Sequence, residues 1–132
     1  MAAAAAHFSS TQRRILVVDD DHSICELVTE MLSLHGYELE CVASDRAAHQ
    51  RLSSDQTLDA VILDVNLGPG VTGFDLARYA RTLRPDFPVI YISGQASHGN
   101  FKTYGVPGST FVEKPFTVDE LIDAVEIALA DD

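Results

Sequence analysis

The chain of 132 residues has no tryptophan, only two cysteines and few basic side chains. Nine lysines and arginines stand against twenty aspartates and glutamates, so the net charge of −11 argues against direct nucleic-acid binding through a basic surface. No apolar run approaches the roughly 20 residues that a bilayer-spanning helix requires, so no membrane association is expected. The remaining composition, 46% hydrophobic and 22% charged, is typical of a globular domain with its own core.

The two cysteines and the N-terminal segment indicate the cellular setting. Cys25 and Cys41 lie within apolar helix and strand patterns, which favours buried free thiols in a reducing cytoplasm, with a disulfide as the alternative. Residues 1–12 are rich in alanine and lack the basic region and long apolar stretch of a signal peptide, so a disordered tail is expected there. Residues 13–132 are expected to form one domain.

Five short apolar runs bounded by turn residues predict strands of a parallel sheet. They are residues 13–18, 37–42, 59–63, 88–92 and 111–112. The second run alternates apolar and polar residues, which is typical of a sheet edge with one wetter face. Helical patterns follow each run, and the repeated βα units predict an α/β, flavodoxin-like (βα)5 fold with strand order 2-1-3-4-5. The fourth helix, within residues 95–105, is expected to be short or irregular because Gly99 and Asn100 disfavour a helix.

Helix starts and inner faces are also predicted from spacing. Three capping-box patterns are Ser23 with Glu26, Thr72 with Asp75, and Thr117 with Glu120. The inner face expected for the first helix is Ile24, Leu27, Val28, Met31 and Leu32. For the third helix it is Leu76, Ala80 and Leu83. For the fifth helix it is Val118, Leu121, Ile122, Val125 and Leu129. Phe101 and Tyr104, in the fourth connection, are core residues or a partner patch, and the core is favoured.

Polar side chains follow four of the five predicted strands: Asp19 and Asp20, then Asp64, Ser93 and Lys114. The predicted order makes the first and third strands neighbours, so their acidic ends should meet in one crevice. Carboxylates in such a crevice repel one another unless a cation joins them, and Mg²⁺ prefers oxygen ligands. A carboxylate nucleophile beside a lysine and a hydroxyl suits phosphoryl transfer, with Asp64 as the acceptor.

At these positions the chain resembles the receiver domain of two-component response regulators. The resemblance covers roughly residues 14–129 and includes residues 15–21, 61–64, 73–76, 88–94 and 113–116. It implies a signalling module rather than an enzyme, in which Asp64 accepts a phosphoryl group from a histidine kinase or a histidine phosphotransfer protein. Such a module promotes its own phosphorylation and dephosphorylation and acts as a monomer or as a phosphorylation-dependent dimer on an output partner.

The resemblance also implies roles for single residues. Mg²⁺ is the expected cofactor, with Asp20 and Asp64 as direct ligands, Asp19 acting mainly through water and Asn66 through its backbone carbonyl. Ser93 and Phe111 occupy the switch positions of the family. Lys114 is expected to neutralise a phosphoryl oxygen and to precede a cis peptide bond to Pro115.

Two alternatives use the same residues. A Mg²⁺-dependent phosphohydrolase with an aspartate nucleophile usually has a second acid two positions later, where this chain has Asn66. A flavodoxin-like cofactor binder would need a phosphate-binding loop after the first strand, where three aspartates stand instead. The chain also departs from the receiver pattern in a loop with Gly68-Pro69-Gly70, which is one residue longer than usual, and in the fourth connection.

Overall fold

The computed structural model describes residues 12–54, 57–66, 72–94 and 98–130. Its strands are β1 (Arg14–Val18), β2 (Glu38–Val42), β3 (Ala60–Asp64), β4 (Val89–Ser93) and β5 (Thr110–Glu113). Its helices are α1 (His22–Ser33), α2 (Asp45–Ser54), α3 (Gly73–Leu83), α4 (His98–Tyr104) and α5 (Val118–Leu129). Eleven residues of the predicted tail and the loop glycines 68 and 70 lie outside the described residues.

The strands form one parallel sheet in the order β2-β1-β3-β4-β5. The predicted flavodoxin-like (βα)5 fold is therefore confirmed. Every residue of β3 and β4 is buried, which explains their continuous apolar sequences, whereas β2 is only partly buried and lies at the edge as predicted. None of the described helices is long and apolar enough to cross a membrane.

The sheet separates two apolar layers, because successive side chains of a strand point to opposite faces. In β1, Ile15 and Val17 pack in the layer that includes α1 and α5. Leu16 and Val18 pack in the opposite layer, which includes α2 and α3. This arrangement fixes the carboxyl ends of β1, β3, β4 and β5 along one edge of the sheet, where loops can present polar side chains.

Side-chain caps begin four of the described helices, and at α2 the hydroxyl of Ser44 accepts the backbone N–H of Ala47 at 3.1 Å. The boxes of Thr72 with Asp75 and of Thr117 with Glu120 both form, as predicted. The prediction for α1 was wrong, because the N-cap is Asp21, whose carboxylate accepts the backbone N–H of Ser23 at 2.9 Å. A carboxylate at this position also interacts favourably with the positive end of the helix dipole.

Three of the apolar residues assigned to inner faces are exposed instead. Leu27 is 40% exposed, Leu83 50% and Val118 39%. In α1 the buried stripe is Cys25, Val28 and Leu32, so Leu27 lies beside it. The spacing of apolar residues predicts the helix correctly, but the contacts with the sheet decide which of its apolar residues are covered.

The prediction of free, buried thiols was wrong. Cys25 and Cys41 form a disulfide, with their Cα atoms 6.1 Å apart. Cys25 is buried in α1, whereas Cys41 is exposed on the edge strand β2. The bond thus joins the first helix to the neighbouring edge strand. The inference of a reducing compartment depended on free thiols, so it loses that support.

The helix α4 has only seven residues, as expected for a sequence with Gly99 and Asn100. Phe101 is half-buried and packs against the apolar core, with its ring centroid 5.1 Å from that of Phe111, which agrees with the core prediction. Tyr104 is 56% exposed, so the core prediction was wrong for it. Gly105 leaves room for Phe101, since a Cβ there would lie 2.7 Å from the Phe101 carbonyl oxygen.

Tyr91 provides a test of the packing around α4. Its buried hydroxyl accepts the backbone N–H of Val106 at 3.2 Å, and burial raises the pKa of this phenol. Because Tyr91→Phe leaves a buried N–H without its acceptor, we expect it to lower the free energy of unfolding by about 1–3 kcal/mol. Urea denaturation measures this change, with the exposed Tyr104→Phe as the matched control. Equal stability of the two variants would contradict the assigned role of the hydroxyl.

Candidate functional site

Three carboxylates meet at the carboxyl edge of the sheet. Val18 of β1 pairs with Leu63 of β3, so the residues that follow, Asp19 and Asp64, come together. One oxygen from each of Asp19, Asp20 and Asp64 lies within 4.8 Å of the others. Asp19 and Asp64 are only 1% and 6% exposed, whereas Asp20 is open to solvent. The predicted crevice between the two acidic strand ends is therefore present.

The backbone fixes the position of Asp19. Its N–H donates to the carbonyl of Val42 in the edge strand at 3.2 Å. One carboxylate oxygen, Oδ1, accepts the backbone N–H of Asp21 at 2.8 Å. Since Asp21 also caps α1, the same turn starts the helix and orients the buried carboxylate. A capping role for an aspartate at this helix start is readable from the sequence, but the bond from the Asp21 N–H to Asp19 is not.

Lys114 joins the two buried carboxylates. Its Nζ lies 3.2 Å from Oδ2 of Asp19 and 3.4 Å from Oδ2 of Asp64. The lysine reaches them from the end of β5, where its backbone N–H donates to the carbonyl of Ser93 at 2.8 Å. The Lys114–Pro115 peptide bond is cis, which confirms that prediction. One ammonium group therefore lies against both carboxylates.

The protonation behaviour of the site reflects burial and charge together. Burial raises the pKa of the Asp19 carboxyl, and the negative charge of Asp64 adds to the rise, against the opposing effects of the Asp21 N–H and Lys114. Burial alone would lower the pKa of Lys114, but the carboxylates of Asp64 and Asp19 outweigh it, so the net shift is upward. The upward shift keeps the lysine charged at neutral pH. Counted at their formal charges, the three carboxylates of the cluster and this one ammonium group leave an excess of two negative charges.

The segment that follows β3 shapes the other side of Asp64. Oδ1 of Asp64 accepts the backbone N–H of Asn66 at 3.1 Å. Asn66 pairs with Thr72, and the N–H of Gly73 donates to the carbonyl of Val65 at 2.8 Å. A Cβ at position 73 would lie 2.4 Å from the carbonyl oxygen of Asp64, so only glycine allows α3 to start this close. Sequence reasoning used Gly73 only as a motif match and missed this approach.

Ser93 and Phe111 lie where the strand order predicts. Ser93 ends β4, is 1% exposed and pairs with Glu113 of β5. Phe111 pairs with Tyr91, two positions before Ser93, and its ring contacts Phe101 of α4. The serine thus stands at the same edge as Asp64, and the aromatic ring connects β5 with the short helix.

The donor atoms suit a hard divalent cation. All three acidic side chains offer oxygen ligands within one cluster, and one of them is open to solvent, which leaves room for water. Mg²⁺ binds such oxygens and usually keeps several waters. A divalent cation would also cancel the two excess negative charges. The residues present therefore fit a magnesium ion.

Comparison with known sequences agrees with this geometry. The family described as "Response regulator receiver domain" matches residues 15–126. The regulatory protein VirG of Agrobacterium tumefaciens (strain 15955) is 32% identical over 119 residues, which cover 89% of this chain and 43% of VirG. The response regulator MprA of Mycolicibacterium vanbaalenii is 33% identical over 111 residues, covering 83% of this chain and 47% of MprA. The chain thus spans less than half the length of either relative.

Solved structures show the same similarity in three dimensions. The crystal structure of a response regulator receiver protein from Sinorhizobium medicae WSM419 has a TM-score of 0.86 and 33% identity, covering 92% of this chain and 97% of that one. The chemotaxis response regulator CheY4 of Vibrio cholerae has a TM-score of 0.78 and 27% identity, covering 90% of this chain and 100% of that one. The resemblance seen in the sequence motifs is confirmed.

Repulsion within the acidic cluster can be measured. In the absence of Mg²⁺, we expect Asp20→Asn to raise the free energy of unfolding by about 0.5–1 kcal/mol, because it removes one of three clustered negative charges at an exposed position. The control Asp123→Asn removes an exposed charge from α5, far from the cluster in sequence. Urea denaturation in a metal chelator gives both values. A change no larger for Asp20→Asn than for the control would count against repulsion at the cluster.

Proposed function

The chain belongs to the response regulator receiver domain family, and on that premise we propose that Asp64 is its phosphoryl acceptor. The observation that supports this most is the contact of the Lys114 ammonium with the buried carboxylates of Asp19 and Asp64. We propose residues 13–132 as the extent of the domain. Its phosphorylation state would control a protein-interaction surface.

Asp64 has the surroundings of a carboxylate nucleophile. The Asn66 N–H holds Oδ1, while Oδ2 lies near Lys114. A carboxylate oxygen attacks the phosphorus of a phosphohistidine, the new O–P bond forms, and the P–N bond to the departing imidazole breaks. The Lys114 ammonium can then move its contact from a carboxylate oxygen to a phosphoryl oxygen, where it neutralises negative charge. Positioning and charge neutralisation are the main sources of rate in such transfers.

Magnesium is the proposed cofactor. Asp20 and Asp64 would hold it directly, Asp19 mainly through water, and Asn66 through its backbone carbonyl. When bound, Mg²⁺ supplies positive charge that lets the carboxylates and a phosphoryl group lie close together. Asp19 stays fixed by its bond to the Asp21 N–H, so the ligands are oriented before the cation arrives.

Ser93 and Phe111 are the proposed switch residues. The hydroxyl of Ser93 would donate to the phosphoryl group, and the ring of Phe111 would move toward the space that the serine leaves. Since the ring of Phe111 contacts Phe101 of α4, a movement of Phe111 would change the packing of α4. The surface formed by α4, β5 and α5 would change as a result. The added charge at Asp64 would thus shift the equilibrium between two conformations of this surface.

Receiver domains of this family interact with histidine kinases and with output domains. We propose a histidine kinase or a histidine phosphotransfer protein as the phosphoryl donor for this chain, in the cytoplasm, and a monomer or a phosphorylation-dependent dimer as its active form. Because the chain spans less than half of VirG or MprA, the regulatory role that those names describe belongs to longer proteins.

Chemical phosphorylation tests the assignment of Asp64. Incubation with acetyl phosphate and Mg²⁺ should add one phosphoryl group, as measured by intact-protein mass spectrometry. Asp64→Asn should abolish the added mass because the amide is not a nucleophile, and a chelator should suppress it in the unchanged chain. The control Asp75→Asn removes an exposed carboxylate from α3 and should leave the labelling intact. A phosphoryl group retained by Asp64→Asn would refute the proposed acceptor.

A further inference from the structure

We propose that the Cys25–Cys41 disulfide is a thiol–disulfide exchange site for small thiols of neutral or positive charge. Its state would set the affinity of the acidic cluster for its cation. The exchange chemistry stands on the disulfide and its surroundings alone. The effect on the cation rests on the function proposed for Asp64, and the two parts are tested separately.

The disulfide is accessible from one side. Cys41 is exposed on the edge strand β2, whereas Cys25 is 4% exposed in α1. Both cysteines line a surface cleft of about 470 Å³, whose other lining residues are His22, Glu26, Thr29 and Glu30. The hydroxyl of Thr29 lies 3.3 Å from the sulfur of Cys41. A small molecule in this cleft therefore lies beside the bond.

Exchange would proceed in two displacements. An external thiolate attacks the sulfur of Cys41, an S–S bond to the external thiol forms, and Cys25 leaves as a thiolate that takes up a proton. A second external thiolate then attacks the external sulfur of the mixed disulfide. Cys41 is released as a thiolate, which takes up a proton. Two external thiols are thereby oxidised to a disulfide, and the protein gains two thiols. A small-molecule disulfide reverses both steps.

The charge of the cleft determines which thiols react well. Glu26 and Glu30 place two carboxylates on its wall. The basic residue among those lining the cleft is His22, whose Nε2 already lies 3.3 Å from a carboxylate oxygen of Glu26. An incoming anion is repelled in such a cleft, whereas a cationic thiol is attracted. The cleft therefore fits an aminothiol better than an acidic thiol.

The same disulfide fastens the two segments that hold Asp19. On one side, Val42 follows Cys41 in β2, and its carbonyl accepts the Asp19 N–H at 3.2 Å. On the other side, the Cys25 N–H donates to the Asp21 carbonyl at 3.2 Å, and the Asp21 N–H donates to the Asp19 carboxylate at 2.8 Å. Opening the disulfide would let α1 and β2 move independently, which loosens Asp19 in the acidic cluster.

The exchange is tested with three thiols of similar size: cysteamine, 2-mercaptoethanol and mercaptoacetate. Opening of the disulfide in the folded chain is followed by alkylation and mass spectrometry, and each rate is divided by the thiolate fraction of the reagent and corrected for its nucleophilicity. We expect cysteamine to react about fivefold faster than mercaptoacetate, because exposed charges a few ångströms apart interact by about 1 kcal/mol. The variant Glu26→Gln/Glu30→Gln should lose this preference.

Two results would overturn the exchange proposal. One is a disulfide that opens only after the chain is unfolded by denaturant. The other is an equal corrected rate for all three thiols, which would remove the role of the cleft in selecting them.

The effect on the cation is tested by calorimetric titration of the full chain with Mg²⁺ alone. We expect the reduced chain and the Cys25→Ser/Cys41→Ser variant to bind Mg²⁺ about tenfold more weakly than the disulfide form. Loss of the groups that orient metal ligands usually weakens metal binding by roughly 10–100-fold, and the expected change is at the low end of that range. Circular dichroism checks that all three forms are folded, and reductant should leave the affinity of the double variant unchanged. Equal affinity in the oxidised and reduced chains would refute the coupling. An absence of Mg²⁺ binding in every form would instead refute the function proposed for Asp64 and the coupling with it.

Discussion

Two carboxylates buried side by side, with one lysine between them, are the constraint on which the rest of the structure depends. Asp19 and Asp64 can lie together because β1 and β3 are neighbours in the sheet. Lys114 can reach both because β5 ends at the same edge. Each of these placements requires the parallel order of the whole sheet. The apolar layers on both faces stabilise that order, and the order brings the polar side chains together at one edge of the sheet.

Much of this arrangement could be predicted from the sequence because its signals are local and strong. Continuous apolar runs such as residues 61–63 and 89–92 indicate strands covered on both faces, and helical spacing between them indicates crossovers. The connection rule for parallel strands then limits the possible topologies to very few. Asp64 and Lys114 could be placed at one edge before any coordinates, because Asp64 directly follows the third predicted strand and Lys114 comes two residues after the fifth.

The predictions that were wrong concern features set by contacts between distant segments. Ser23 and Asp21 are both good capping residues, and the bond from Asp21 to the buried Asp19 explains why the helix starts earlier. Leu27 has the spacing of an inner residue, yet α1 turns Cys25 inward instead. The disulfide could not be assigned from spacing, because it requires the packing of α1 against the exposed edge of β2. Tyr104 is the last residue of the seven-residue helix α4 and is largely exposed, whereas Phe101 lies one turn earlier and packs against Tyr91 and Phe111.

The central claim is that Asp64 accepts a phosphoryl group beside a magnesium ion. A crystal structure of the chain grown with Mg²⁺ and beryllofluoride, a phosphoryl analogue, tests it most directly. The account predicts the analogue bound to a carboxylate oxygen of Asp64, Lys114 in contact with it, and the cation held by Asp20 and the carbonyl of Asn66. An analogue bound to a different carboxylate, or a cation bound away from Asp19, Asp20 and Asp64, would contradict it.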